Sequence, residues 1–390
     1  MKLLILSFFF PPDLAAGSFR SNSLSRALLS NLPKNSTIEI ITTQPNRYKS
    51  YNKDAKKFEA HNGLTIYRVQ TPEHNSGAVG QVKAFAVYAF TVHNLVKNKH
   101  YDLIFATSSR LMTAALGAYI SRRSKIPLYL DIRDIFPDTV KHLFSKELGP
   151  ILNKVFSFIE AFTIKSATKV NLVSNGFLPY FRERYPKQTY TVFTNGIDPE
   201  FVYSGQNYRK KLKNKKLTVV YAGNIGDGQG LHHIIPNLAV SYKDRLVFKI
   251  IGDGSRKREL QSALEASCIK NVLISNPIER SKLMNVYQSA DILFLHLNDY
   301  GAFKKVLPSK LFEYAASGKP IWAGVSGYAR EFIDQYIENA AVFSPCDEKR
   351  AIISFESLEI VTKPRTKFVE KFTRDQIMNE MSQDIIELIQ

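Results

Sequence analysis

Residues 217–231 read "LTVVYAGNIGDGQGL". The first seven residues are a short apolar run, and Gly223, Gly226, Gly228 and Gly230 follow within eight positions. A strand buried on both faces reads as a continuous apolar run. Such a strand, running into a glycine turn and then a helix, opens a parallel α/β unit. The glycines permit close backbone approach, and their amides can cradle a phosphate. A flexible turn without a ligand is the plainer alternative. If the first reading holds, more short apolar strands separated by helices should lie on either side.

They do. Downstream, 246–252, 271–275, 291–297, 320–324 and 340–344 read as strands, and 373–389 as a helix. Upstream, "PEFVYSGQNYRKKLKNKK" (199–216) is polar, basic and weakly periodic, and reads as a connection. Before it, 2–10, 37–43, 64–70, 102–108, 127–133, 169–174 and 189–195 read as strands, with helices at 18–32, 79–98, 110–123 and 147–167. A chain of 390 residues exceeds what one core supports. The pattern predicts an α/β protein of two Rossmann-like doubly wound domains facing a central cleft. The first spans 1–198 and the second 217–372, joined through 199–216, with a C-terminal helix (373–390) packing back on the first. Ligands of open α/β sheets bind outside the carboxyl ends of strands, so functional residues should follow strands.

The composition, 44% hydrophobic and 23% charged, excludes a disordered chain. Fifty-three Lys and Arg against 35 Asp and Glu give a net charge of +18. That excess suits anionic lipid, phosphorylated substrates or nucleic acid. No nucleic-acid-binding pattern accompanies it, so no nucleic-acid partner is expected. Cys268 and Cys346 stand in no metal-ligand spacing; no metal is expected, and a reduced cytosolic setting fits. "MKLLILSFFFPP" carries only eight apolar residues before Pro11-Pro12, so it reads as a buried strand rather than a signal peptide. No run reaches the roughly 18 apolar residues of a membrane span.

Several strand ends carry chemistry. After the first strand, Gly17 and Ser18 open a helix whose amides can hold an anion, and Arg20 in its first turn opposes the helix dipole. That placement argues for a compensating anion; a solvated arginine is the alternative. "LYLDIRDIFPDTV" (128–140) sets Asp131, Arg133, Asp134 and Asp138 about a strand end. Such acids can hold sugar hydroxyls or take a proton, or simply cap a helix. "IIGDGSRKREL" (250–260) offers Gly252 and Asp253 at another strand end. "TNGID" (194–198) reads as a structural turn. In "KKVLPSKLFEYAASGKPIWAG" (304–324), Lys310 and Glu313 are three apart and share a helix face. The lysine can neutralise a diphosphate, and the glutamate can accept both hydroxyls of a ribose. An exposed amphipathic helix would account for the same spacing.

Taken in order, "FFFPPDLAAGSFR", "DIRDIFPD", "LVSNGF", "TNGID", "YAGNIGDGQGL", "IIGDG", "SADILFLHL" and "LPSKLFEYAASGKPI" resemble the retaining GT-B glycosyltransferases of family 4, and the branch that builds bacterial O-antigen and capsule. The resemblance runs along nearly the whole chain. It implies metal-independent transfer of a sugar from a UDP-sugar, with retention, to a polyprenyl-diphosphate-linked saccharide. It implies that Glu313 binds ribose, that Gly223, Asn224 and Gly226 form the diphosphate loop, that Ile278 touches the base, and that Gly252, Asp253 and Leu311 complete the donor site. Lys310, Asp131 and Asp134 become candidate catalytic residues, and Gly17, Ser18, Arg20 and Arg133 candidate acceptor- or phosphate-binding residues. No cofactor is implied. The chain departs from the family pattern in three places. Lys305 stands where the first glutamate of the paired-glutamate motif belongs, and Asn224 and Gln229 stand where relatives carry a loop Arg and Lys. Lys310 is therefore expected to supply the cation, and the Pro-Ser-Lys-x-x-Glu-Tyr variant resembles transferases of N-acetylated amino sugars such as N-acetylfucosamine.

Two stretches, 82–100 and 151–169, mix aromatic and branched residues with lysine. Basic amphipathic helices lie in lipid interfaces, so a cytoplasmic protein held peripherally at the inner face of the plasma membrane is expected. Two other readings compete. A sugar-nucleotide 2-epimerase would share the layout. A non-catalytic partner of a polysaccharide assembly complex would account for Lys305.

Overall fold

The computed structural model describes residues 1–47, 54–72, 78–135, 137, 148–202 and 216–390. The apolar run at the start forms β1 (Lys2–Leu6), which pairs in parallel with β2 (Thr37–Thr43) on one side and β5 (Leu103–Thr107) on the other. Leu3 to Leu6 are all fully buried, as a central parallel strand covered on both faces requires. Phe8, Phe9 and Phe10 stay buried beyond the end of β1. The strand is thus shorter than the apolar run predicted.

Two compact units result: Met1–Asn195 with Asp375–Gln390, and Gly196–Arg374. The first holds an eight-stranded sheet in the order β3-β4-β2-β1-β5-β6-β7-β8. Its other strands are β3 (Phe58–His61), β4 (Leu64–Val69), β6 (Leu128–Ile132), β7 (Lys169–Leu172) and β8 (Tyr190–Thr191). Only β3 is antiparallel to its neighbour. It was not foreseen, because its polar, largely exposed sequence FEAH lacks a strand pattern. Its helices include α1 (Ala16–Asn31), α2 (Ala78–Val96), α3 (Leu111–Ser124), α4 (Leu148–Ser166) and α5 (Leu178–Arg184).

The second unit holds a six-stranded, wholly parallel sheet in the order β11-β10-β9-β12-β13-β14. The strands are β9 (Leu217–Asn224), β10 (Leu246–Asp253), β11 (Val272–Ser275), β12 (Ile292–His296), β13 (Ile321–Gly324) and β14 (Ala340–Phe343). The helices are α6 (Leu231–Ser241), α7 (Lys257–Ala266), α8 (Arg280–Ser289), α9 (Lys310–Ala316), α10 (Tyr328–Tyr336), α11 (Glu348–Glu356) and α12 (Thr366–Lys371). Trp322 is fully buried and packs its ring against Tyr242, Phe294, Phe343 and Phe355.

In both sheets the first strand lies inside, and the chain order reverses there: between β1 and β5, and between β9 and β12. Loops diverge at such a reversal and leave a crevice at the carboxyl ends of the strands. The functional candidates cluster at these two points.

The chain passes between the units at residues 195/196 and again at 374/375. The residues beside the two passages are tied together. The Arg374 amide donates to Ile197 O and the Ile197 amide to Phe372 O, each at 2.8 Å. The final helix, α13 (Arg374–Ile386), places Met378, Met381 and Ile385 fully buried, and Tyr129 Oη donates to Asp384 Oδ2 at 2.8 Å. The connection read at 199–216 lies largely in residues outside those described; Pro199–Phe201 forms a single 3-10 turn.

Candidate functional site

In the second unit the site begins at the end of β9. Gly223 has φ +152°, a conformation that other residues avoid, and a Cβ there would lie 2.1 Å from Lys310 Nζ. The Lys310 side chain therefore lies across this glycine, its ammonium 5.4 Å from the centre of the Tyr221 ring. Lys310 opens α9, and Glu313 follows within its first turn. Both residues thus stand on the first turn of one helix, with Lys310 across the glycine.

Glu313 is held by residues that sequence reasoning missed. Arg280 Nη1 lies 3.3 Å from its Oε1, and Tyr287 Oη donates to its Oε2 at 3.2 Å. Burial raises the Glu313 pKa, and the cations of Arg280 and Lys310 partly offset that rise. Arg280 also pairs with Asp198 and, at 2.7 Å, with Glu200, while its guanidinium sits 4.5 Å from the Phe201 ring centre. Asp198 is bonded in turn to Arg374. One signal was available: Arg280 begins a helix, where a cation opposes the dipole and needs anions nearby.

Asn224 and Gln229 occupy the positions where a cation pair was sought. They bond to each other, Asn224 Nδ2 donating to Gln229 Oε1 at 2.6 Å, and the Asn224 amide group fills the space beside Gly226. Gly252 pairs with Gly223 across the strands, and a Cβ there would meet Gly223 O at 1.8 Å. Its lack of a side chain permits that close approach. The Leu311 side chain is fully buried in the core. Asp253 ends β10 and accepts from the Gly254 amide at 2.9 Å, while Ile278 is half-buried on the segment between β11 and α8.

A second set of polar groups braces the glycine turn. His296, fully buried at the end of β12, donates from Nδ1 to Gln229 O at 2.7 Å and accepts at Nε2 from the Cys346 amide at 3.0 Å. A carbonyl can only accept and an amide can only donate, so the neutral ring carries its proton on Nδ1. Burial drives the His296 pKa down to about 4. Asn298 Nδ2 donates to Asp227 O at 2.9 Å. Burial raises the pKa of the Asp227 carboxyl, but the hydrogen bonds from Tyr300 and Arg256 outweigh it and leave the pKa below the ordinary value. Isolated histidines and asparagines carry no sequence signal for such bracing.

In the first unit, Gly17 packs at the start of α1, where a Cβ would meet Ser109 Oγ at 2.4 Å and Arg133 Nε at 3.6 Å. The helix has no capping side chain and no acid in its first turn. Ser18 is fully buried, and its hydroxyl has no hydrogen-bond partner among the described residues. The Arg133 amide donates to Ser108 Oγ at 2.8 Å, and Nη2 donates to Asn195 Oδ1 at 3.4 Å. Asp134 keeps solvent contact, but the protein atoms crowded around its carboxyl push the pKa up to about 6. Asp138 lies outside the described residues.

Arg20 and Asp131 meet each other. Both are 1% exposed and form a bidentate pair, Nε to Oδ2 and Nη2 to Oδ1, each at 3.0 Å. Arg20 also donates to Thr194 O and Phe193 O, and Asn171 Nδ2 donates to Asp131 Oδ1 at 2.7 Å. The compensating anion sought for Arg20 is the neighbouring carboxylate. Together they lock α1 to the ends of the strands.

Among the described residues no group of three or more His, Cys, Asp or Glu forms a metal-binding set.

Residues 205–374, most of the second unit, match the family model described as "Glycosyl transferases group 1". WcaI of Escherichia coli (strain K12), named as a colanic acid biosynthesis glycosyl transferase, is 30% identical over 107 residues, covering 27% of this chain and 26% of that protein. Sucrose-phosphate synthase from Thermosynechococcus elongatus superposes with a TM-score of 0.79 at 13% identity, over 99% of this chain and 98% of that one. HepE from Anabaena, solved in complex with UDP, superposes with a TM-score of 0.67 at 16% identity, over 99% of this chain and all of the other. At these identities the likeness establishes the fold, two Rossmann-like α/β domains of the GT-B kind.

Proposed function

We propose, from the premise that the second unit is a glycosyl transferases group 1 domain, that this chain moves a sugar from a UDP-sugar to an acceptor hydroxyl in the assembly of a bacterial surface polysaccharide. The observation that carries the reading is the meeting of Lys310 with Gly223 at the reversal of the second sheet, with Glu313 one turn away. A diphosphate in the turn formed by Gly223, Asn224 and Gly226 would receive backbone amides and the Lys310 ammonium. A carboxylate at Glu313 would accept from the two ribose hydroxyls. The UDP bound to HepE and the polysaccharide role in the name of WcaI support the choice of donor and pathway class.

In the retaining, metal-independent transfer of this reading, the leaving diphosphate takes the proton of the acceptor hydroxyl. The protein stabilises the charge that builds on the departing oxygen, and Lys310 supplies most of it. Asp134 orients an acceptor hydroxyl, and Gly17, Ser18 and Arg133 contact its anionic part. The donor is an N-acetylated amino sugar, and the acceptor is a polyprenyl-diphosphate-linked saccharide. The protein works on it from the cytoplasmic face of the membrane, held peripherally.

Calorimetric titration of UDP into the wild type and into Glu313→Ala, with chelator present, tests the donor site. Binding with a Kd of about 1–100 μM, lost in the variant, is the expected outcome. A wild type that binds neither UDP nor another nucleoside diphosphate would overturn the reading and favour a non-catalytic partner of an assembly complex.

A further inference from the structure

Among the described residues, fifteen large apolar side chains are exposed, and seven of them lie on α2, α3 and α4. Ile151, Val155 and Phe158 recur on α4 at the spacing of one helical stripe, and Phe158 is 76% exposed. Val82, Val87 and Phe90 share the outer side of α2, and Phe90 is 69% exposed. The two stripes belong to one surface, because α3 lies between them. The His93 and Tyr119 rings meet at 6.4 Å between α2 and α3, and the Arg122 guanidinium lies 5.5 Å from the Phe162 ring centre between α3 and α4. Monomeric proteins scatter their exposed apolar residues, so a contiguous group rimmed by polar residues marks an interaction face.

The exposed charges on the described residues of these three helices are of one sign. Lys83, Arg122, Arg123, Lys154 and Lys165 are all exposed on these helices. The sequences of α2 and α3 contain no acid. The single acid of α4, Glu160, is 3% exposed and accepts hydrogen bonds from the hydroxyls of Tyr180 and Tyr185. A second copy of the chain pairing through the same face would set like charges against each other. An anionic lipid surface offers the apolar residues a hydrocarbon boundary and the cations their counter-charges. No described helix is long and apolar enough to cross a membrane, so these helices would lie along the surface.

We propose that α2, α3 and α4 form the surface by which the first unit docks on an anionic bilayer, with Phe90 and Phe158 inserted at the interface and the five cations among the headgroups. This deepens the membrane part of the reading above by giving it a surface. Because it rests on the first unit alone, UDP binding can be read separately.

The test is co-sedimentation of the full chain with phosphatidylglycerol/phosphatidylcholine vesicles and with phosphatidylcholine vesicles. The wild type is compared with Phe90→Ser/Phe158→Ser and with Lys154→Glu/Lys165→Glu. The wild type should bind the anionic vesicles in preference to the neutral ones, and each double variant should bind about tenfold more weakly or worse. Binding should fall as salt rises from about 0.05 to 0.5 M. Thermal midpoints and UDP affinity should not move. Three results would overturn the proposal: no sedimentation of the wild type with anionic vesicles, equal sedimentation of all three proteins, or a wild-type dimer that Phe90→Ser/Phe158→Ser dissociates. The charge variant keeps the test decisive if the phenylalanine variant misfolds.

Discussion

Lys310 occupies the space that a side chain at residue 223 would need: a Cβ there would lie 2.1 Å from its Nζ and 2.1 Å from its Cε. The glycine at the end of β9 is thus both a backbone requirement, at φ +152°, and the seat of a cation delivered from α9. Gly223→Ala should weaken UDP binding at least about tenfold, by straining the turn and displacing the lysine together. Lys310→Ala should leave UDP bound to within about fivefold and lower kcat by about 10²–10³. Isothermal titration and steady-state kinetics on both variants check this. A Lys310→Ala enzyme with wild-type kcat would refute the assignment.

Arg280 and Tyr287 hold the Glu313 carboxylate in place. Burial already raises the Glu313 pKa, with Arg280 the largest charge resisting that rise. Removing the cation, as in Arg280→Met, should move the pKa further up, so Glu313 protonates at a higher pH. UDP affinity that depends on the ionised carboxylate should then fall, as the solution is acidified, at a higher pH than in the wild type. Glu313→Gln should show weak binding with no such pH dependence. Titrations from pH 5 to 8 distinguish these outcomes, and an unshifted profile in Arg280→Met would count against the coupling.

His296 makes the second unit acid-sensitive. Its pKa is about 4 in the folded protein and about 6.5 as an ordinary side chain. The unfolded state therefore binds more protons between these values. The stabilisation is fully present above about pH 6.5 and is lost as pH falls through about 4, amounting to about 3 kcal/mol. His296→Asn should be less stable at neutral pH, because two buried hydrogen bonds are disturbed, but its melting temperature should depend less on pH between 4 and 6.5. Scanning calorimetry across that range is the measurement.

The buried Arg20–Asp131 pair predicts a structural phenotype without a catalytic one. Among the described residues, Arg20→Ala leaves the buried carboxylate with only the Asn171 amide and the more distant Arg133 guanidinium, 3.9 Å away, and should cost about 3–5 kcal/mol in denaturant unfolding. Asp131→Asn should also destabilise, but should keep kcat within about twofold of wild type per folded molecule. A kcat loss of two orders of magnitude, with stability unchanged, would restore Asp131 to the reacting groups.

The contrast between these residues shows what was legible in sequence. Gly223, Lys310 and Glu313 were found because each follows a strand at a spacing that local geometry converts into position: a strand end, a first helical turn, one helix face. The partner of Arg20 stayed hidden for the same reason. The place of Arg20 in a first turn called for an anion, and local pattern could not say that the anion was Asp131, 111 residues away. Arg280 and Tyr287 stayed invisible because their partner is on another helix.

What the sequence determined by itself is the alternation of buried strands and helices, hence two sheets that are parallel but for the edge strand β3, and the strand ends at which candidate residues gather. Apolar periodicity and glycine turns act over a few residues and survive without knowledge of the rest. What only the tertiary structure decided is which polar groups meet. His296, at the end of one strand, reaches Gln229 and Cys346 beyond the ends of two others, and the helices α2, α3 and α4 present one apolar, cationic face. Those meetings depend on the order of strands in the sheets and on side-chain burial, and both follow from packing across the whole unit.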